Sequence, residues 1–283
     1  MGKFRDAMSD AMALRGLAPR TQDAYLHWIR RLVKFSRVAP DQLTAEQVRA
    51  FLLDLIQERR LSFSSFNQAL NAARFFFLEV LRKPFVVEGL RFQRPARILP
   101  VVMSDEEVRR LLAAAVSLRD RALLETAYAT GMRLGEVIHL LLTDIDSQRM
   151  VIRVEQGKGR KDRYVMLSPS LLETLRAYWR SQKPRTILFP GKGGKEPLHP
   201  TSAQKAFQRA RERARIEKPI SFHTLRHTFA THLLEDGTNV RTIQSLLGHR
   251  SLESTQRYTH LAKNYLNQTK SPLDRLRGEE TRV

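Results

Sequence analysis

The sequence predicts a mainly α-helical protein with one small antiparallel β-sheet, divided into two domains. Three observations predict it. Residues 1–88 read as helices alone, a basic stretch containing prolines then interrupts the periodicity, and the remainder returns to helices broken by two short β-prone runs around a glycine-flanked tip. The 283 residues suffice for two domains, each with its own core.

In the first domain, Phe4, Met8, Ala11, Met12 and Leu14 form one apolar stripe. After the break at Pro19 a longer stripe runs through Tyr25, Trp28, Ile29, Leu32, Val33 and Phe35, with Arg30, Arg31, Lys34 and Arg37 among its residues. A third helix opens at Thr44 with Gln47 three residues on, a capping box that satisfies two amides at the helix start, and Val48, Phe51, Leu52 and Leu55 bury it. The fourth begins within Ser62 to Ser65 and runs through Phe66, Leu70, Ala73 and Phe77. Its polar residues are Asn67, Gln68, Asn71 and Arg74. Four helices with basic and amide-bearing faces make a module suited to gripping DNA, with Lys34, Asn67, Asn71 and Arg74 as candidate contacts. Each of these residues alone also reads as ordinary helix surface.

Between Arg82 and Met103 the periodicity lapses, and Pro84, Pro95 and Pro100 favour extended chain over helix. Residues 89–101 are the expected linker, exposed and basic, with Arg94 a candidate for crossing a phosphate backbone. The second domain, 102–283, opens on another capping box, Ser104 and Glu107. Helices are expected at about Asp105 to Val116 and Leu118 to Thr130. The break at Gly131 then sets Arg133 at the start of the next helix, where it aims into a pocket and Glu136, one turn on, orients it. Asp144 and Asp146 have the spacing of a magnesium pair, but they fall where helix gives way to strand, and a polar turn explains them better. Met150 to Val154 and Arg163 to Leu167 form a β-hairpin whose tip carries Lys158, Arg160 and Lys161 between Gly157 and Asp162. Helix is expected again from Pro169 to Ser181, a short strand at Ile187 to Phe189, and a basic helix from Thr201 to Arg215.

The stretch from Ser221 to His260 concentrates the chemistry. His223 and Arg226, three apart on a helix, bring an imidazole and a fixed cation to one face. Gly237 ends that helix. A second run, Val240 to Leu247, stops at Gly248 and places His249 at a helix C-terminus, and a third run carries Tyr258. A guanidinium grips phosphate oxygens as a planar fork, imidazole donates or accepts, and a phenol becomes a nucleophile once its proton is drawn off. Together they read as phosphoryl transfer to tyrosine.

Composition bounds the partners. Forty-nine Lys and Arg against twenty-nine acids leave a net charge of +20, which predicts a polyanionic partner, most simply nucleic acid. The absence of cysteine excludes disulfides and thiolate sites and fits a reducing cytoplasm. No apolar run reaches the roughly 18 residues of a membrane span, and the N-terminus mixes charge into its apolar positions, unlike a secretory signal. A cytoplasmic protein with no membrane contact is expected. His223 and His227 have the spacing of a zinc pair, but HTLRH lacks the glutamate of HExxH, so no metal is expected. PGKGGKEP fails the pattern of a nucleotide-binding P-loop, so no ATP or other cofactor is expected either.

With Arg133, Lys158, His223, Arg226, His249 and Tyr258 in order, the chain resembles the tyrosine recombinases, also called the phage integrase family. GMRLGE, GKGRKDR, HTLRHTFATHLL, LLGH and a tyrosine nine residues after that histidine match the family's blocks across the whole second domain. APRTQDAYLHWIRRLVKF and SFNQALNAARFFF are similar to its helical, SAM-like core-binding domain. The N-terminal part is also similar to integron integrases, but the interval from Lys158 to His223 lacks room for the extra helical insertion that those enzymes carry. The resemblance implies a site-specific DNA recombinase that integrates, excises or resolves DNA. Tyr258 would form a 3′-phosphotyrosyl link, Arg133, Arg226 and His249 would hold the phosphate, Lys158 would protonate the leaving oxygen, and His223 would accept or position the tyrosine proton.

It further implies double-stranded recombination sites as substrate, a monomer in solution that forms a homo-tetramer in the synaptic complex, and room for accessory DNA-bending proteins. Leu266, Leu273 and Leu276, beyond the nucleophile, are expected to dock on a neighbouring protomer. Two other functions compete: a non-catalytic DNA-binding regulator on the same scaffold, and a DNA-relaxing enzyme of the type IB topoisomerase kind. Filled catalytic positions argue against the first. The compact helical domain and the tail after Tyr258 favour recombination over the second.

Overall fold

The computed structural model describes residues 2–93, 100–155 and 162–248. The chain divides into two compact units, Met1–Arg97 and Ile98–Val283.

The first unit is built from α1 (Gly2–Leu14), α2 (Pro19–Ser36), α3 (Ala45–Gln57) and α4 (Phe63–Phe75), and α4 continues into a π-helical turn, Phe76–Val80. The capping box at the start of α3 is present: Thr44 N donates to Gln47 Oε1 at 3.0 Å and Gln47 N to Thr44 Oγ1 at 3.3 Å. Met8 and Met12 from α1, Trp28, Ile29 and Leu32 from α2, Val48, Phe51, Leu52 and Leu55 from α3, and Phe66, Leu70 and Ala73 from α4 close one core. Leu14 departs from the expected stripe and is 90% exposed, because two residues past Met12 lie about 200° around the helix. Phe35, at the last turn of α2, is also exposed, its ring 5.5 Å from that of Phe51.

The loss of periodicity after Arg82 does not make the chain exposed at once. Pro84–Val86 forms a 3-10 turn that buries Val86 and Val87 in the first core. Two adjacent valines offer enough apolar surface to hold chain against the core without a regular helix.

The second unit begins with the Ser104 to Glu107 capping box and α5 (Asp105–Ala113). Then come α6 (Leu118–Thr130), α7 (Leu134–Ile138), β1 (Ile145–Asp146), β2 (Val151–Val154), β3 (Arg163–Met166), α8 (Pro169–Gln182), α9 (Pro200–Arg213), α10 (Phe222–Glu235) and α11 (Val240–Leu247). The strands form an antiparallel sheet in the order β1-β2-β3. Ile152 pairs with Val165, and Val154 with Arg163. These four residues are buried, so the period of two places an arginine among valines on the sheet's inner face.

Helix α6 packs against α8 and α10 at the centre of this unit. Asp144 and Asp146 serve the turn as expected: Asp144 accepts from Leu141 N and from Arg153, and Asp146 from the amides of Gln148 and Arg149. Ile187 to Phe189 is not a strand. Ile187 makes an isolated bridge to Leu141, because the facing chain enters a 3-10 turn at Leu142 and offers no continuous edge.

Candidate active site

The site begins at the end of α6. Gly131 caps that helix with φ 62°, in the left-handed region open to glycine, and the chain turns there toward Arg133. Arg133 is the N-cap of α7, and the Glu136 carboxylate folds back on it. Glu136 Oε2 accepts from the Arg133 amide at 2.7 Å, and Oε1 accepts from Arg133 Nη1 at 2.8 Å. The sequence expectation that Glu136 orients Arg133 therefore has its geometry.

The same carboxylate holds a second arginine that sequence reasoning missed. Arg163 Nη1 donates to Glu136 Oε1 at 3.1 Å, Nη2 donates to Oε2 at 2.8 Å, and Nε donates to the Leu246 carbonyl at 2.7 Å. Arg163 is 8% exposed and the Glu136 side chain 12%. Burial alone would raise the Glu136 pKa, but the hydrogen bonds and charge of Arg163, with the Arg133 amide and side chain, outweigh it and hold the group at about 2. A signal was present in the sequence: Arg163 alternates in phase with Val165 on a strand that buries one face.

Arg226, on the second turn of α10, is 2% exposed. Its Nη1 donates to the Gly131 carbonyl at 2.7 Å and its Nη2 to the Leu247 carbonyl at 2.6 Å. Two arginines thus meet the negative end of α11, at Leu246 and Leu247, where a helix leaves carbonyls without intrahelical donors. Gly248 ends α11 in the left-handed conformation, and His249 follows in sequence. One continuous set of hydrogen bonds therefore links Arg133, Glu136, Arg163, the end of α11, Arg226 and Gly131.

His223, on the first turn of α10, is exposed and lines an open cleft with Leu134, Thr201, Gln204, Lys205 and Ser221. Its ring lies 4.6 Å from that of His227, edge to face. Although three residues apart on one helix, His223 and Arg226 thus occupy different settings, one at a cleft and one within the protein. Among the described residues no group of three or more His, Cys, Asp or Glu is placed to hold a metal ion, and no helix is long and apolar enough to cross a membrane.

Lys158, Arg160, Lys161, His249, Tyr258 and Arg94, and the tail leucines, lie outside the described residues. In the first unit, Lys34 and Asn71 are exposed. Asn67 is engaged within the protein: its Nδ2 donates to the Gln93 carbonyl at 2.9 Å, and the Gln93 amide donates to its Oδ1 at 3.0 Å. Arg74 donates to the Leu90 carbonyl and lies 4.6 Å over the Phe92 ring. These two α4 residues fasten residues 90–93, a contact that helical periodicity cannot reveal.

Comparison with known proteins agrees with this architecture. Residues 4–85 match the phage integrase N-terminal SAM-like domain, and residues 101–265 match the phage integrase family. A Sinorhizobium fredii chain of the integrase/recombinase group is 44% identical over 277 residues, covering 98% of this chain and 90% of that one. A tyrosine recombinase of Thermosipho africanus is 31% identical, covering 93% and 96%. The fold is shared with lambda integrase residues 75–356, solved as a dimer bound to a core site, with a TM-score of 0.73 at 22% identity over 90% of this chain and 96% of that one.

A helical SAM-like module followed by a phage integrase catalytic domain defines a site-specific recombinase acting on DNA. The chain belongs to the phage integrase family, as an enzyme of the tyrosine recombinase type.

Proposed function

We propose that Tyr258 attacks the scissile phosphodiester of double-stranded DNA, forming a 3′-phosphotyrosyl bond while the bond to the 5′-oxygen breaks. Arg133 and Arg226 hold the non-bridging oxygens, and His249 adds a donor as negative charge builds on those oxygens in the transition state. Lys158 gives the proton that makes the leaving oxygen a 5′-hydroxyl, and His223 accepts or positions the proton of Tyr258. A free phenol has a pKa of about 10, so clustered cations favour the phenolate. Rejoining reverses these steps with the 5′-hydroxyl of a partner strand, and the phosphotyrosyl bond retains the energy required. Side-chain cations supply the neutralising charge in this scheme.

The observation that carries the reading is the hydrogen-bonded set running from Arg133 through Glu136 and Arg163 to the end of α11 and back through Arg226 to Gly131. It ties three separate elements to the chain that leads into His249. Lys34 and Asn71 are the first domain's exposed candidates for DNA contact, while Asn67 and Arg74 act by holding residues 90–93. Arg94, in the 89–101 linker, and Arg160 and Lys161, beside Lys158, are further phosphate contacts. Four copies assemble on two recombination sites, with the segment around Leu266, Leu273 and Leu276 docking between protomers, and accessory DNA-bending proteins are compatible with that assembly.

The test is to recover covalent protein–DNA adducts from cells expressing the protein and to sequence the attached strands. The reading expects recurrent sites with protein on the 3′-phosphate and a free 5′-hydroxyl opposite. Attachment to 5′ ends, or adducts with no recurrent site, would overturn it.

A further inference from the structure

Arg163 places a charge where the sheet would accept an apolar side chain. It opens β3 on the inner face, paired across the ladder with Val154 and in phase with Val165. Taking a guanidinium out of water there is costly unless well-placed partners compensate it. Its fork meets them: Nη1 and Nη2 each donate to one oxygen of the Glu136 carboxylate, at 3.1 and 2.8 Å, and Nε donates to the Leu246 carbonyl at 2.7 Å.

Both Glu136 oxygens are shared. Oε1 also accepts from Arg133 Nη1 at 2.8 Å, and Oε2 from the Arg133 amide at 2.7 Å. The carboxylate therefore lies between two guanidinium groups, one 8% exposed and the other 35%. If Arg133 and Glu136 stood alone, their charges would cancel, and a phosphate arriving at Arg133 would meet a neutral pair. Water screens little of that cancellation, because the Glu136 side chain is only 12% exposed. With Arg163 on the buried side, two cations share one anion, and the positive charge left over falls to the more exposed partner. We infer that Arg163 is a positioning residue for Arg133: it neutralises and fixes Glu136, so that Glu136 aims Arg133 without cancelling the charge that Arg133 offers to a DNA phosphate. The inference rests on the proposed role of Arg133 in holding a non-bridging oxygen.

The experiment compares single-turnover cleavage of two DNA substrates. One has the natural scissile phosphodiester, and the other a methylphosphonate, in which a methyl group replaces one non-bridging oxygen and removes the charge. Arg163→Gln takes away the counter-charge to Glu136. It should cleave the phosphodiester about 100-fold more slowly, the scale of loss when one donor to a developing oxyanion is removed. On the methylphosphonate it should stay within about threefold of the wild-type rate, because no charge there needs neutralising. Arg163→Lys keeps the charge without the fork and should lose about tenfold on the phosphodiester. Adding Glu136→Gln to Arg163→Gln removes the uncompensated anion and should bring phosphodiester cleavage back to within about tenfold of the wild type. That double variant leaves no buried carboxylate unpaired, so it decides the question if Arg163→Gln alone fails to fold.

Equal losses on both substrates would reduce Arg163 to a structural residue, and wild-type rates on both would remove the role altogether. A lysine variant as slow as the glutamine variant, or a double variant still about 100-fold slow, would overturn the charge balance. Arg133→Ala separates the two claims. If the methylphosphonate fails to restore its cleavage, the phosphate-holding reading of Arg133 is wrong; if it restores Arg133→Ala but not Arg163→Gln, only the role of Arg163 is wrong.

Discussion

Arg226 and Leu247, 21 residues apart, are joined by a 2.6 Å hydrogen bond from Nη2 to the backbone carbonyl. Among the described residues of the second unit Arg226 is the most deeply buried cation, and the bond sets it at the negative end of α11, at a carbonyl one residue before Gly248 and two before His249 in sequence. A second bond, to Gly131, ties the same guanidinium to the turn that leads into Arg133. Arg226 thus carries structural weight in addition to its proposed contact with phosphate.

Replacing Arg133 and Arg226, the two arginines proposed to hold the phosphate, should therefore have unequal consequences. Arg226→Met leaves two buried carbonyls without their charged donor and should cost about 3 kcal/mol of stability along with cleavage. Arg133 is 35% exposed and paired with Glu136 at the rim, so Arg133→Met should abolish cleavage while costing under about 1 kcal/mol. Urea unfolding of both variants checks the contrast, and equal losses of stability would contradict it.

Glu136 predicts an acid limb in stability. Its folded pKa, about 2, lies below its ordinary value of 4.5, so its contribution is fully present above about pH 4.5 and is lost as pH falls toward 2. The shift corresponds to roughly 3 kcal/mol at neutral pH. Glu136→Gln should flatten the pH dependence of unfolding between those limits. An unchanged acid limb would place the titrating group elsewhere.

Gly131→Ala should be poorly tolerated. The position has φ 62°, and an added Cβ would run into the Phe229 ring and come within 3.0 Å of Leu247 Cδ2. Overpacking and backbone strain together should cost about 2 kcal/mol, and cleavage should fall because both Arg133 and the carbonyl bonded by Arg226 shift. Thermal unfolding and single-turnover cleavage measure the two effects. Full activity in the alanine variant would show that this turn does not position the arginines.

What the sequence revealed and what it hid divide along a physical line. The capping boxes at Thr44 and Ser104, the glycine ends at Gly131 and Gly248, and the hairpin from β2 to β3 were legible because local spacing determines them. Arg163 was not singled out, since its partners lie 27 and 83 residues away and nothing local marks a buried arginine except its phase with Val165. Asn67 and Arg74 read as outward-facing groups because a helical wheel contains no information about residues 90–93 folding back on α4. Ile187 to Phe189 has strand composition, but a strand also needs an edge to pair with, and composition does not supply one.

Binding should be strongly dependent on salt. With a net charge of +20 and candidate phosphate contacts in both domains, affinity should drop about a thousandfold or more between roughly 50 and 200 mM salt. Replacing Lys34 by Ala should lower the slope of log affinity against log salt by about one unit while leaving sequence preference unchanged. An unchanged slope would show that Lys34 does not contact the backbone.

The most direct test of the chemistry is the fate of a nicked target substrate with Tyr258→Phe. The variant should bind that DNA as the wild type does and yield no covalent protein–DNA adduct, because the one atom removed is the nucleophile. An undiminished adduct from the phenylalanine variant would contradict the account and direct attention to another tyrosine, with Tyr265 the nearest in sequence.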